Sequence, residues 1–261
     1  MILLKKSLGQ NLLIDKNIIN KIVNLIEVKN KNLIEIGPGK GALTTQILKK
    51  KPKTLILIEK DDFFASELKE KYIGNKSIKV LNKDVLKIDI GKLIKKNSII
   101  YGNLPYNISS QILVRFLRLK DFPSKFDDLI FMFQKELGEK IIGKYLSKNY
   151  GRLSILSNFK LQIKNKFLIS PNCFFPKPKI TSMVIHFKPT EKLLFNIKNI
   201  ENLEKITNVF FSNKRKMIKN SIKKIFNTDK MNYLKELNLN LRPADIKPET
   251  YYKITELYEK N

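Results

Sequence analysis

Asn32-Leu33-Ile34-Glu35-Ile36-Gly37-Pro38-Gly39-Lys40-Gly41-Ala42-Leu43-Thr44 is the stretch on which the fold turns. A run of branched apolar residues reads as a buried strand, and three glycines within five positions read as a tight turn. From Ala42 a helical spacing begins, so the stretch opens a βαβ unit. Glycine at positions 37 and 39 lets backbone approach a ligand where a side chain would block it. Outward from this turn, short β-branched runs alternate with longer amphipathic ones. Residues 32–36, 54–58, 77–81, 98–101, 126–133 and 183–187 are expected strands, and 15–26, 42–50, 61–71, 109–119 and 135–145 expected helices. Such alternation predicts an α/β fold, a doubly wound and mostly parallel Rossmann-like sheet covered by helices. After Pro189 strand-like runs stop and lysine-rich helical spacing takes over, which predicts two domains, 1–189 and a small all-helical 190–261.

Glu59 follows Gly37 by 22 residues, at the end of the next expected strand, where a carboxylate accepts two ribose hydroxyls. Dinucleotide and S-adenosylmethionine sites share that feature. Pro38 separates them, because it removes an N–H from the turn, a loss to a pyrophosphate cradle and harmless to a ligand without phosphate. Asp84, just after the third strand, is placed to accept from an adenine amino group, although an aspartate there also serves as an ordinary turn residue. Gly102-Asn103-Leu104-Pro105-Tyr106-Asn107 ends another strand. An asparagine oxygen and a carbonyl before proline both accept from a planar amino group, and an aromatic can stack on the base that bears it. Asn103, Leu104, Pro105 and Tyr106 are therefore the expected catalytic group for methylating an exocyclic amine. Two in-plane acceptors would help the nitrogen pyramidalise without a strong base.

Composition limits the partners. The chain has 261 residues, 43% of them apolar, and a net charge of +27, which draws it towards polyanions, RNA or DNA before an anionic membrane. Part of that charge is compositional, since only five of the 51 basic residues are arginine. Cys173 is the lone cysteine, which excludes a Cys-rich zinc site and suits a reducing interior. No apolar run approaches a membrane span, and neither a signal peptide nor a transmembrane helix is expected. His186 reads as structural rather than catalytic, and Cys173 as a small buried group. In the tail, 210–225 reads as one amphipathic helix with Met217, Ile218, Ser221, Ile222 and Ile225 inward. Lys214, Arg215, Lys216, Lys219 and Lys223 cover its other side and are expected to contact RNA phosphates.

Several strings together resemble the KsgA family of small-subunit ribosomal RNA adenine dimethyltransferases. They are Lys6-Ser7-Leu8-Gly9-Gln10-Asn11, Glu35-Ile36-Gly37-Pro38-Gly39, Gly102-Asn103-Leu104-Pro105-Tyr106-Asn107, Gln134-Lys135-Glu136, Tyr150-Gly151-Arg152-Leu153-Ser154 and Phe174-Phe175-Pro176-Lys177-Pro178-Lys179. The resemblance implies transfer from S-adenosylmethionine, leaving S-adenosylhomocysteine, to N6 of two adjacent adenines near the 3′ end of small-subunit (16S) rRNA. It places the chain in late subunit assembly, as a cytoplasmic monomer of bacterial type acting on a pre-small-subunit particle; an organelle of bacterial descent also fits. Asn11 and Leu13 would border the methionine end of the cofactor, Gly37 and Gly39 form its turn, Glu59 hold the ribose and Asp84 the adenine. Asn103, with Leu104 and Tyr106, would handle the target amine and base, and Phe174 would stack on the extruded adenine. Leu12 stands where the family usually carries an aromatic, and Asn82-Lys83 where a small residue is commoner before Asp84. A related branch methylates a large-subunit rRNA adenine and confers antibiotic resistance; Tyr150–Ser154, Leu104 and the helical tail favour the small-subunit enzyme. A non-catalytic assembly factor and a nicotinamide-dependent oxidoreductase are the further alternatives. Methyl transfer to an amine calls for no metal.

Overall fold

The computed structural model describes residues 11–120, 125–226 and 237–260, so Lys6 to Gln10 of the first family string lie outside the described residues. The chain divides into two compact units, Met1–Gly138 with Gln162–Pro189 and Glu139–Leu161 with Thr190–Asn261.

The first unit is a seven-stranded sheet. Its strands are β2 (Asn32–Ile36), β3 (Thr54–Glu59), β4 (Ile78–Asn82), β5 (Ser98–Asn103), β6 (Phe126–Gln134), β7 (Leu161–Ile169) and β9 (Ser182–Pro189), in the order β4-β3-β2-β5-β6-β9-β7. From β4 to β6 every neighbouring pair is parallel, and β9 lies antiparallel to β6. Central strands of such a sheet are covered on both faces, and the apolar runs of β2 and β5 are accordingly almost wholly buried. The chain winds outward from β2 to β4, then returns to the other side of β2 as β5. The switch point lies between the ends of β2 and β5, where a doubly wound sheet opens its ligand crevice.

Helices α1 (Lys16–Val23), α2 (Ala42–Lys49), α3 (Asp62–Lys71) and α4 (Ser109–Leu117) join these strands. Asp15 caps α1 by accepting from the Ile18 N–H at 2.9 Å, and Asp61 caps α3 by accepting from Phe63 and Phe64. A short ribbon of β1 (Leu12–Leu13) antiparallel to β8 (Phe174–Phe175) pairs Leu12 with Phe175 and Leu13 with Phe174. Leu13 and Phe174 join the core beneath it, with Leu33, Leu55, Ile99 and Cys173.

The second unit is helical: α6 (Arg152–Lys160), α7 (Ile200–Phe211), α8 (Lys219–Lys223) and α9 (Pro248–Glu259). The sequence places one boundary after residue 189, yet Glu139–Leu161 groups with this unit. Buried tyrosines give the reason: Tyr150 Oη donates to the Ile246 carbonyl at 2.7 Å and Tyr252 Oη to that of Ile155 at 2.9 Å. The Tyr150-Gly151-Arg152-Leu153-Ser154 string works within this unit, with Ser154 Oγ bonded to both N and O of Gly151 at the start of α6. Helix α5 (Lys135–Ile141) stops short of the expected 145, and a Cβ on Gly143 would sit 2.3 Å from the Asn149 carbonyl oxygen, so backbone crosses there. The expected single tail helix over 210–225 is broken: α7 ends at Phe211, and Lys214, Arg215 and Lys216 occupy a turn before α8. Met217, expected inward, is 56% exposed because that turn takes it off the helical face.

Candidate active site

Two adjoining cavities open at the switch point. The first, about 900 Å³ and continuous with solvent, is bordered by Gly37, Gly39, Glu59, Asp84, Asn103 and Tyr106. The second, about 1250 Å³, is bordered by Leu13, Glu35, Lys40 and Phe175. Leu12, Gly37 and Asn103 line both.

The glycine turn is held by its own geometry. Gly37 has φ +66°, and a Cβ there would stand 3.3 Å from the Asn103 carbonyl oxygen, so the turn lies against the end of β5 only as glycine. Gly39, at φ +53°, donates its N–H to Glu59 Oε2 at 3.0 Å, while Glu59 Oε1 accepts from the Asp61 N–H at 2.8 Å. Each carboxylate oxygen keeps a lone pair for a further donor, which is what a ribose diol needs. Burial raises the Glu59 carboxyl above its usual range against the pull of those two N–H groups.

At the far side of the first cavity Asp84 Oδ1 accepts from the Leu86 N–H at 2.9 Å, and Oδ2 pairs with Lys60 Nζ at 2.9 Å. Burial pushes this carboxyl up, but the Lys60 ammonium and the Leu86 N–H outweigh it, and Asp84 lies below the usual carboxylate range. Arg115, on α4, donates to the carbonyls of Leu86 and Ile88 and so holds the segment that follows Asp84. Ile36, Ile58 and Val85 add apolar walls. An acceptor pair for a diol, an acceptor for an amino group and apolar walls between them fit an adenosine.

Asn103 ends β5 with its side chain pinned: Nδ2 donates to the Asn11 carbonyl at 2.9 Å. Only the amide nitrogen can donate, so this contact fixes the orientation and leaves Oδ1 as the acceptor, with no hydrogen bond from a described residue. Leu104 is buried behind it, and Pro105 begins a turn closed by the Ile108 N–H on the Pro105 carbonyl at 3.1 Å. Tyr106 is half-buried, its hydroxyl 2.6 Å from Ser182 Oγ on β9. Burial raises its phenol, the Ser182 contact opposing, so the ring stays neutral.

The expected residues therefore converge: Asn11, Gly37, Gly39, Glu59, Asp84, Asn103, Leu104, Pro105 and Tyr106 share the first cavity, and Leu13 lies in the second. Phe174 does not face it. Its ring is 3% exposed and packs in the core, because the pairing of β8 with β1 turns it inward and its neighbour Phe175 outward. Glu35 lies outside the expected set although it lines the second cavity. It is 1% exposed and accepts from Thr44 Oγ1 at 2.6 Å, and burial pushes its carboxyl up to about 7. An acid inside an apolar strand was the available signal. His186 pairs with Asp128 at 2.6 Å between β9 and β6 and lines neither cavity, and Cys173 is buried. Lys214, Arg215, Lys216, Lys219 and Lys223 are all exposed on the second unit. Among the described residues no helix is long and apolar enough to cross a membrane.

Comparison with known proteins places the chain in a family. The profile of the family described as ribosomal RNA adenine dimethylase matches residues 1–260. The chain is 46% identical over 256 residues to a ribosomal RNA small subunit methyltransferase A from Pelagibacter ubique, covering 98% of this chain and 97% of that one. Among solved structures, a dimethyladenosine transferase from Plasmodium falciparum superposes with a TM-score of 0.78 at 23% identity, covering 95% of this chain and 96% of that one. The 23S rRNA methyltransferase ErmE superposes at 0.68 and 22% identity, covering 95% of this chain and all of that one. At those identities the structures speak for the fold alone, and the sequence relative separates the two branches.

Proposed function

Because the chain belongs to the ribosomal RNA adenine dimethylase family, we propose that the cleft at the ends of β2 and β5 is where an rRNA adenine and S-adenosylmethionine meet. The chain is an S-adenosylmethionine-dependent rRNA adenine dimethyltransferase of the small-subunit type. S-adenosylmethionine supplies an electrophilic methyl group and leaves as S-adenosylhomocysteine. Glu59 would hold its ribose, Asp84 its adenine amino group once Lys60 releases Oδ2, and Gly37 and Gly39 the turn beneath it. Asn11, Leu13 and the buried Glu35 would border the methionine end.

The observation that carries this reading is the fixed orientation of Asn103, which lines both cavities and whose Oδ1 accepts no hydrogen bond from a described residue. Oδ1 and the Leu104 carbonyl would accept the two N6–H groups of the target, drawing the nitrogen out of conjugation, with Tyr106 stacked on the ring and locked by Ser182. The proton lost from N6 passes to water. An adenine inside a helix hides N6, so the target must be unpaired or extruded. Lys214, Arg215, Lys216, Lys219 and Lys223 would contact phosphates, giving affinity and orientation without reading sequence. The finer assignment, two adjacent adenines in the 3′-terminal hairpin of a pre-small-subunit particle, modified by a cytoplasmic monomer, rests on the family strings.

Labelled S-adenosylmethionine with undermethylated small subunits or with large-subunit RNA tests this. N6,N6-dimethyladenosine in digests of the small-subunit RNA is the expected product. Label in large-subunit RNA would move the chain to the resistance branch, and tight binding without label would make it an assembly factor.

A further inference from the structure

The chemistry above leaves unused an aromatic ring that borders the cleft. Phe175 is 62% exposed on the outer face of the β1–β8 ribbon, opposite Leu12, while Phe174 is turned into the core. It borders the second cavity together with exposed Ile14 and with Asn103, and exposed Lys16 and Lys40 line the same cavity. Lys177 and Lys179 follow it closely in the chain and are exposed as well. A large flat ring left in water amid cations matches a ligand that is flat and apolar on its faces and anionic at its edge. An unpaired nucleotide has that chemistry, and stacking on an aromatic suits any base because every base has a π-face. Tyr106 borders the first cavity but not the second. A target base on Tyr106, with its amine at Asn103, does not use Phe175, and the methionine end of the cofactor, bordered by Leu13 and Glu35 of that same second cavity, brings no base for the ring to stack on.

We propose that Phe175 is a second stacking platform, which takes an unpaired base adjacent to the target adenine while Lys16 and Lys40 meet its phosphates. The inference rests on the RNA-methylating function proposed above. It adds that the enzyme grips two neighbouring bases at once, on opposite sides of Asn103.

The test uses small-subunit RNA carrying 2-aminopurine next to the target adenine, with the full chain as wild type, Phe175→Leu and Phe175→Tyr. The ring is exposed, so neither substitution disturbs the core, and unchanged melting temperatures check this. The wild type must first methylate the RNA; failure there removes the functional reading rather than the platform. Given activity, 2-aminopurine fluorescence is expected to be quenched on binding to wild type and to Phe175→Tyr, and not to Phe175→Leu. Loss of the stack should raise the KM for RNA about 5- to 30-fold while the KM for S-adenosylmethionine stays within about twofold. Quenching that survives in Phe175→Leu overturns the proposal. So does a rise confined to the KM for S-adenosylmethionine, which would assign the ring to the methionine end of the cofactor.

Discussion

Replacing Glu59 by Gln probes the cofactor site most sharply. Its two oxygens accept from the N–H groups of Gly39 and Asp61 at 3.0 and 2.8 Å, and the side chain is 7% exposed. A glutamine keeps one oxygen and turns an NH₂ towards the other donor, so one of the two N–H groups loses its acceptor whichever way the amide lies. An unsatisfied buried donor costs about 1–3 kcal/mol. Burial already works against the charged form of Glu59, so the neutral side chain recovers part of that cost. The net loss should fall near the lower limit, about 1 kcal/mol, or about 2–4 °C in melting temperature for a chain of this size. Cofactor binding should suffer more. Hydrogen bonds from ribose hydroxyls to a carboxylate contribute about 1.5–3 kcal/mol, or about 10- to 150-fold in affinity. Calorimetric titration with S-adenosylhomocysteine and its 2′-deoxy analogue, on wild type and Glu59→Gln, closes a double-mutant cycle. If the hydroxyl meets the carboxylate, the second loss largely disappears once the first has been made, leaving a coupling of about 1.5–3 kcal/mol. Losses that add to within about 0.5 kcal/mol would refute the ribose assignment even if binding weakens.

Glu35 makes a pH prediction. Its folded pKa of about 7 lies above the free value of 4.5, so the folded state holds the extra proton between those limits and stability falls as pH rises through them. The fall should be about 3 kcal/mol in all, and urea denaturation at pH 5 and pH 8 should show a much smaller difference in Glu35→Gln. Tyr106→Phe removes the hydroxyl held 2.6 Å from Ser182 but keeps the ring, so turnover should drop severalfold at near-normal RNA affinity. Tyr106→Ala should raise the KM for RNA about tenfold or more. Gly39→Ala at φ +53°, with its Cβ 2.8 Å from Leu12 Cδ2, should cost about 1–2 kcal/mol and weaken cofactor binding, read by thermal shift. Neutralising Lys214, Arg215 and Lys216 together should flatten the salt dependence of RNA binding by up to about three in log–log slope, roughly one per lost phosphate contact.

What the sequence exposes and what it hides follow from range. Strands β2, β3 and β5 are legible because both faces are buried and their apolar runs end at glycine or an acid, as at Ile36-Gly37 and Ile58-Glu59. The edge strand β7 is not legible in the sequence, since Gln162, Lys164, Asn165 and Lys166 give it the look of a loop; at a sheet edge those side chains face solvent. The ribbon β1–β8 is two residues long and has no local period, so which of Phe174 and Phe175 meets the cleft depends on a pairing across 160 residues of chain. The same holds for the Lys60 partner of Asp84 and the Asn11 carbonyl that orients Asn103. Residue types announced the chemistry, while the contacts that aim it are long-range.

Asn103 tests the central claim most directly. Single-turnover methylation by wild type and Asn103→Ala, with both enzymes saturated in S-adenosylmethionine and small-subunit RNA, isolates the methyl-transfer step from binding. Loss of a preorganised acceptor that acts on the transition state should slow that step about 100- to 1000-fold. A rate within about threefold of wild type under saturation would contradict the account, because Oδ1 would then have no part in drawing the N6 lone pair out of conjugation.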